Sequence, residues 1–238
     1  MSTDPDPDRP PATDHRRRTA ILTVIGVCGV LAFAVVVAVG IQGTPRRPGP
    51  APVAVPPGLL VPAGATPYGI TLGRPEAPVA IDVYIDFQCP FCREFELGSG
   101  ATLAQMVAAG QARVTYHPLS FFDRFSSTEY SSRSAAAAGC AIDAGVYPRF
   151  QTLLFEQQPP EGGVGLPDER IIALGRQAGA GAQFDGCVRA HRYGPWISTV
   201  TAQANNVGVD STPILQVNGE TVEHSDEALR EAVRSASG

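Results

Sequence analysis

The sequence predicts an α/β domain interrupted by a block of helices and preceded by one membrane-crossing segment. Three observations carry that reading. Val79, Ile81, Val83, Ile85 and Phe87 alternate strictly with Ala80, Asp82, Tyr84 and Asp86, the period of a strand. A helix-forming stretch and a second apolar run follow, giving β, α, β in order. Residues 122–207 then read as helices punctuated by Pro and Gly, and a hairpin and a last helix close the chain. Finally, Ala20 to Ile41 carries no charge and is rich in Val, Ala, Ile and Leu, long enough to cross a hydrocarbon core as a helix.

Length and charge narrow the classes. A chain of 238 residues leaves room for one well-cored domain of about 170 residues plus a tail and an anchor. The net charge is −5, and the basic residues, all arginine, are scattered. Without a basic stripe or an aromatic ladder, nucleic acid is not an expected partner. The absence of lysine reads as codon bias and says little about function.

From the N-terminus, residues 1–18 form a tail rich in Asp, Pro and Thr, too polar to bury a core and expected to be disordered. Arg16, Arg17 and Arg18 precede the apolar run and outnumber Arg46 and Arg47 after it, so the tail should stay in the cytoplasm and the rest face outward. Val36-Val37-Ala38 offers a passable cleavage site, but the run exceeds the usual signal-peptide length, which favours a transmembrane anchor over 19–41 and a single-pass protein of the cell membrane. Cys28 within it is expected to be inert packing. Residues 42–66, rich in Pro, Gly and Ala, are expected to be an extended spacer.

The folded domain is expected over 67–238. Tyr68 to Leu72 suits a short edge strand, Gly73 to Pro78 a turn, and Val79 to Phe87 the strand described above. The helix after Cys89 should reach about Ala109, with a bend at Gly98 and Gly100 as one option, before a strand from Ala112 to Leu119. Helices are expected at Ser127–Ala144, Pro148–Gln157, Asp168–Ala178 and Phe184–Asn205. Pro213 to Val217 and Glu220 to Val222 flank Asn218-Gly219, which suits a type I′ turn. Ser225 is a fitting cap for a helix from about Asp226 to Ser235.

Outside the apolar run lie four cysteines, Cys89, Cys92, Cys140 and Cys187, an even number that fits an oxidising compartment. Cys89-Pro90-Phe91-Cys92 follows a strand and opens a helix, the setting of a redox dithiol. Two thiols one turn apart can close a small disulfide ring. The first lies at the helix N-terminus, where unpaired amides and the dipole stabilise a thiolate. Cys89 is therefore the expected nucleophile and Cys92 the resolving thiol. Pro90 suits the first helical turn because its missing N–H costs nothing there. A zinc half-site or an incidental disulfide are the alternatives; His117, His191 and His224 offer no second ligand pair at short spacing.

The run Asp86-Phe87-Gln88-Cys89-Pro90-Phe91-Cys92, the strand before it, the helical insertion and the late Gly208-Val209-Asp210-Ser211-Thr212-Pro213 resemble the DsbA-like branch of the thioredoxin superfamily, membrane-anchored bacterial type. The resemblance covers roughly Tyr68 to the C-terminus. It implies a thioredoxin-like fold with a helical insertion domain, and a cis Thr212-Pro213 bond whose loop faces the cysteine pair and binds substrate. It also implies a Cys140–Cys187 structural disulfide, which over about 48 residues would stabilise the domain by roughly 4 kcal/mol; a second redox relay is the alternative there.

Two departures from the family bear on chemistry. Phe91 stands where the best-known oxidases have histidine and gives the Cys89 thiolate no donor or charge, which points to a moderate oxidant at roughly 30 mV per unit of depressed pKa. The buried acid expected six residues before the nucleophile is replaced by Val83. Asp82 and Asp86 are read as solvated strand-end charges, with a proton relay at Asp86 the alternative. His117, His191 and Trp196 carry no motif, and Phe121, Phe122 and Phe125 suit either an apolar rim or a packing cluster.

The resemblance implies an extracytoplasmic thiol:disulfide oxidoreductase that oxidises exported clients without an organic or metal cofactor. A membrane DsbB-like or vitamin K epoxide reductase-like partner would reoxidise it, and the lipid bilayer would hold it through the N-terminal helix. A reductase or isomerase using the same residues, and a non-enzymatic client-binding envelope protein, are the competing readings.

Overall fold

A computed structural model describes residues 50–237. The tail 1–18, the anchor 19–41 with Cys28, and the first part of the spacer lie outside the described residues. Within them, no helix is long and apolar enough to cross a membrane.

The strands are β1 (Ala65–Thr66), β2 (Gly69–Leu72), β3 (Val79–Ile85), β4 (Ala112–Pro118), β5 (Ile214–Val217) and β6 (Glu220–Val222), in the sheet order β1-β2-β4-β3-β5-β6. Only β3 and β4 pair in parallel, and the crossover that returns the chain to run β4 alongside β3 is helix α1 (Pro90–Ala108). The β3 side chains Val79, Ile81, Val83 and Ile85 are all at most 1 % exposed, and Tyr84 on the opposite face is buried too. A strand covered on both faces is the natural centre of the sheet. Helix α1 runs unbroken through Gly98 and Gly100, burying Cys92, Phe95, Glu96, Ser99, Leu103 and Met106 along one stripe.

After a 3-10 turn at Phe121–Phe125 come α2 (Tyr130–Asp143), α3 (Tyr147–Glu156), α4 (Asp168–Ala178), α5 (Ala182–Arg189) and α6 (Gly194–Asn206). The single helix expected over Phe184–Asn205 is two helices. Its break falls at 190–193, where His191 adopts φ 43°; the next helix starts at Gly194 with Pro195 in its first turn, the place in a helix where a missing N–H costs nothing. Cys140 in α2 and Cys187 in α5 form a disulfide with Cα atoms 5.9 Å apart. Asn218 (φ 49°) and Gly219 (φ 80°) turn the β5–β6 hairpin, and Ser225 caps α7 (Asp226–Ala236) by accepting from the Ala228 amide.

The spacer expectation is corrected from Ala51 to Thr66, which lies on the domain. The Val53 amide donates to Gln203 (2.7 Å), Asn206 donates to the Ala51 carbonyl (2.8 Å), and Leu59 and Val61 pack on the core. The buried Trp196 indole holds the Thr66 carbonyl at 2.9 Å. Before β1 the proline-rich segment makes no ladder, and its hydrogen bonds come from its own turns and from side chains of the domain.

Candidate functional site at the CPFC turn

Strand β3 stops at Ile85 and the chain turns, the Cys89 amide closing the turn on the Asp86 carbonyl at 3.0 Å. Cys89 is the N-cap of α1 with extended dihedrals, and Pro90 occupies the first helical turn. The helix thus begins at the thiol. Cys89 and Cys92 are both free thiols, 1 % and 0 % exposed, while Phe91 between them stands out at 59 %.

The cis Thr212–Pro213 bond lies opposite. The Cys89 thiol donates to the Thr212 carbonyl at 3.2 Å, and the Thr212 hydroxyl, buried with no other partner, is free to steady the thiolate. The hydrogen bond from Cys92, with further help from Thr212 and the amides of Cys92 and Phe91, outweighs burial and brings the Cys89 pKa down to about 6. Cys92 moves the other way: burial, then its hydrogen bond to and the charge of Cys89, push its pKa well up. The Asp86 amide reaches the Cys92 sulfur at 3.5 Å.

Asp86 is not the solvated strand-end charge expected. It is fully buried, because the 3-10 turn at Phe122 and the first turn of α2 at Ser131 close over it. Its carboxylate accepts from the Gln88 amide (2.9 Å), the Ser131 hydroxyl (2.6 Å) and the Phe122 amide (3.0 Å). Burial pushes its pKa up to about 7 against the pull of those three donors. Asp82 instead lies 2.9 Å from His117, whose other ring nitrogen donates to the Tyr68 carbonyl at 2.7 Å.

Sequence reasoning missed the segment between α3 and α4. Gln158 donates to the carbonyls of Phe87 (3.1 Å) and Cys89 (2.9 Å), and Gln88 donates back to Gly163 (3.3 Å). Arg93 ties the helix start to the Phe155 carbonyl at 3.0 Å. Gly165, at φ 71°, packs where a Cβ would sit 2.3 Å from the Tyr130 ring. No local signal marks these partners, which lie some 60 to 75 residues from the motif in sequence.

Two cavities lie at this end of the fold, of which only the first reaches the Cys89 thiol. One of about 230 Å³ is lined by Cys89, Phe91, Phe122, Arg124, Glu161 and Thr212 among others. The second, about 570 Å³, adjoins Phe91, Pro213, Val222 and Glu223. Phe121 and Phe122 pack on the core as well as lining the first cavity, whereas Phe125 is exposed. A larger cavity of about 660 Å³ between α1, β4 and α3 includes neither cysteine of the motif.

With this geometry in view, comparison with known proteins gives consistent results. The family model described as "Thioredoxin" matches residues 65–235. Oxidised DsbA of Mycobacterium tuberculosis is 31% identical, superposes with a TM-score of 0.63, and is matched over 71% of this chain and 93% of its own. The reduced disulfide bond oxidoreductase DsbG of the same organism is 32% identical, with a TM-score of 0.61 over 74% of this chain and 86% of its own. MdbA of Actinomyces oris, described as a thiol-disulfide oxidoreductase, is 20% identical and shares the fold with a TM-score of 0.62 over 74% of this chain and 89% of its own. Among curated relatives, the serine/threonine-protein kinase PknE of Mycobacterium tuberculosis is 30% identical over 145 residues, 58% of this chain. The chain spans only 25% of that kinase's length.

Proposed function

The chain belongs to the thioredoxin family, in its DsbA-like branch, and is a thiol:disulfide oxidoreductase; from that premise we propose that it forms disulfides in exported proteins through Cys89 and Cys92. The observation that carries this reading is the placement of two free thiols one turn apart at the start of α1, with Cys89 against the Thr212 carbonyl and Cys92 in the core, and the displacement of the two pKa values in opposite directions fits it. One is drawn down to about 6 at a helix N-terminus and the other is pushed up in the core.

In the oxidised protein a client thiolate attacks the Cys89 sulfur. The Cys89–Cys92 bond breaks, and Cys92 leaves with the electron pair and takes a proton. A second client thiolate then attacks the client sulfur of the mixed disulfide and expels Cys89 as a thiolate. The client gains a disulfide, and the dithiol has taken up its two electrons. A low-pKa thiol leaves faster, which suits Cys89 to that last step. A Cys89 pKa one unit below neutral stabilises the reduced form by about 1.4 kcal/mol, or roughly 30 mV, the moderate oxidant that Phe91 in place of histidine implies. Thr212 and Pro213 are the substrate-binding residues in this reading, and Cys140–Cys187 is structural.

The proposed setting is the outer face of the cell membrane, with 19–41 as the anchor. A structural disulfide is at home in such an oxidising compartment. Reoxidation would come from a quinone-linked membrane partner, DsbB-like or vitamin K epoxide reductase-like. The same chemistry run in reverse makes a reductase, and the potential decides between them. Cys92→Ser is the test of the roles: incubated with a client that carries a disulfide, its Cys89 thiolate should attack one client sulfur, release the other as a thiolate, and accumulate as a mixed disulfide that no Cys92 can resolve, seen by mass spectrometry without reductant. Trapping through Cys89→Ser instead would reverse the two roles.

A further inference from the structure

The cavity lined by Cys89 and the larger one beyond Phe91 share Phe91, Ser211 and Thr212, so they adjoin as two arms of one trough along the exposed Phe91 ring. Its charges are lopsided. Glu161 and Asp210 line the smaller arm and Glu223 the larger, and none of the three has an ion-pair partner among the described residues. Arg124 is the one arginine in the lining, and its guanidinium lies 4.8 Å from the centre of the Phe125 ring. His224 completes the titratable groups of the larger arm. All five side chains are exposed, so a client segment meets them before it reaches the thiol.

An extended client with its cysteine at Cys89 carries neighbours two or three residues away at roughly 7–10 Å to either side. A long basic side chain spans such an arm and reaches its wall. Carboxylates there attract it without being deeply buried, and such rim charges govern encounter rates and choice of partner more than affinity.

We propose that the trough selects client segments carrying lysine or arginine within two or three residues of the reacting cysteine, the basic side chains meeting Glu161 and Asp210 in one arm and Glu223 in the other. This rests on Cys89 being the nucleophile. It identifies the substrate class of the site: polypeptide thiols in a basic context, with acidic contexts disfavoured.

The test uses the full-length chain with Cys89 and Cys92 oxidised and three seven-residue peptides, each with one central cysteine and Lys, Gln or Glu two positions to either side. Loss of the protein disulfide is followed by quenched alkylation and mass spectrometry. Each rate is divided by that of the same peptide with hydroxyethyl disulfide, a neutral reference that removes the effect of flanking charge on the thiol itself. The lysine peptide should lead the glutamate peptide by about 5- to 20-fold at low ionic strength, with the glutamine peptide between them. The ratio should shrink severalfold at 0.5 M salt, as screening requires. In the triple variant Glu161→Gln, Asp210→Asn, Glu223→Gln it should fall to within about 2-fold of unity. Equal normalised rates in the parent, or a ratio unchanged in the triple variant, would overturn the selectivity while leaving exchange at Cys89 intact. A chain that exchanges with none of the peptides overturns the exchange reading itself.

Discussion

The two cysteine pairs of the described domain are equally hidden from solvent and otherwise unlike. Cys140 and Cys187, 2 % and 6 % exposed, join the interiors of α2 and α5 across 47 residues of chain. Only about 70 Å³ of free space adjoins them. Cys89 and Cys92 are no more exposed, yet they remain thiols, one at a helix start beside the Thr212 loop and an open cavity. Exposure therefore does not separate a reactive pair from a stapling one. The separation lies in what faces the sulfur: donors and open space for Cys89, packed helix for Cys140 and Cys187.

The sharpest way to break this contrast is to exchange the pairs' roles by mutation. Cys89→Ser should abolish disulfide exchange with a peptide thiol, a loss of at least about 1000-fold, because the attacked sulfur is gone. Replacing Cys140 and Cys187 together by Ala should leave the exchange rate within about 2-fold and lower stability by about 4 kcal/mol, read from urea unfolding. A double variant that lost exchange but not stability would make the second pair a relay.

Asp86 offers a finer test. Its folded pKa of about 7 lies above the ordinary 3.8, so the folded state holds the proton more tightly. That contribution is complete below about pH 4 and is lost as pH rises through about 7, amounting to at most about 4 kcal/mol. Unfolding free energies of Asp86→Asn should show a correspondingly flatter slope between pH 4 and 7 than the parent, with a constant offset for the Phe122 amide left facing an NH2 group. Equal slopes would mean that Asp86 does not titrate in that range.

The smallest effect concerns Cys89 alone. Its folded pKa, about 6 against an ordinary 9.0, is depressed, so the stabilisation of the reduced fold is full above about pH 9 and is lost as pH falls through about 6. Iodoacetamide should label the reduced chain half-maximally near pH 6, with a rise of about 10-fold from pH 5 and a plateau by pH 8. Labelling that still climbed above pH 8 would count against the thiolate environment described here.

What could be read from the sequence follows the range of the forces involved. Val79 to Ile85, Asn218-Gly219, Ser225 and the Cys89-to-Cys92 spacing are local signals, and the elements they mark form where those signals put them. The Cys140–Cys187 pairing and the cis Thr212–Pro213 bond came only through family resemblance, since neither spacing nor periodicity encodes them. Asp86, Gln158 and the Ala51–Thr66 segment were misread or missed. Each depends on partners 36 to 155 residues away, beyond any window of periodicity.

The three donors on Asp86 come from the active-site turn, the 3-10 turn after β4 and the first helical turn of α2. One carboxylate thereby joins the sheet and the helical insertion into a single unit of unfolding. The insertion cannot peel away without stranding either a buried charge or two orphaned donors, so its first helix and the Gln88 turn should open together. In native-state hydrogen exchange, the amides of Gln88 and Phe122 would then share one opening free energy, despite lying on separate elements of the fold.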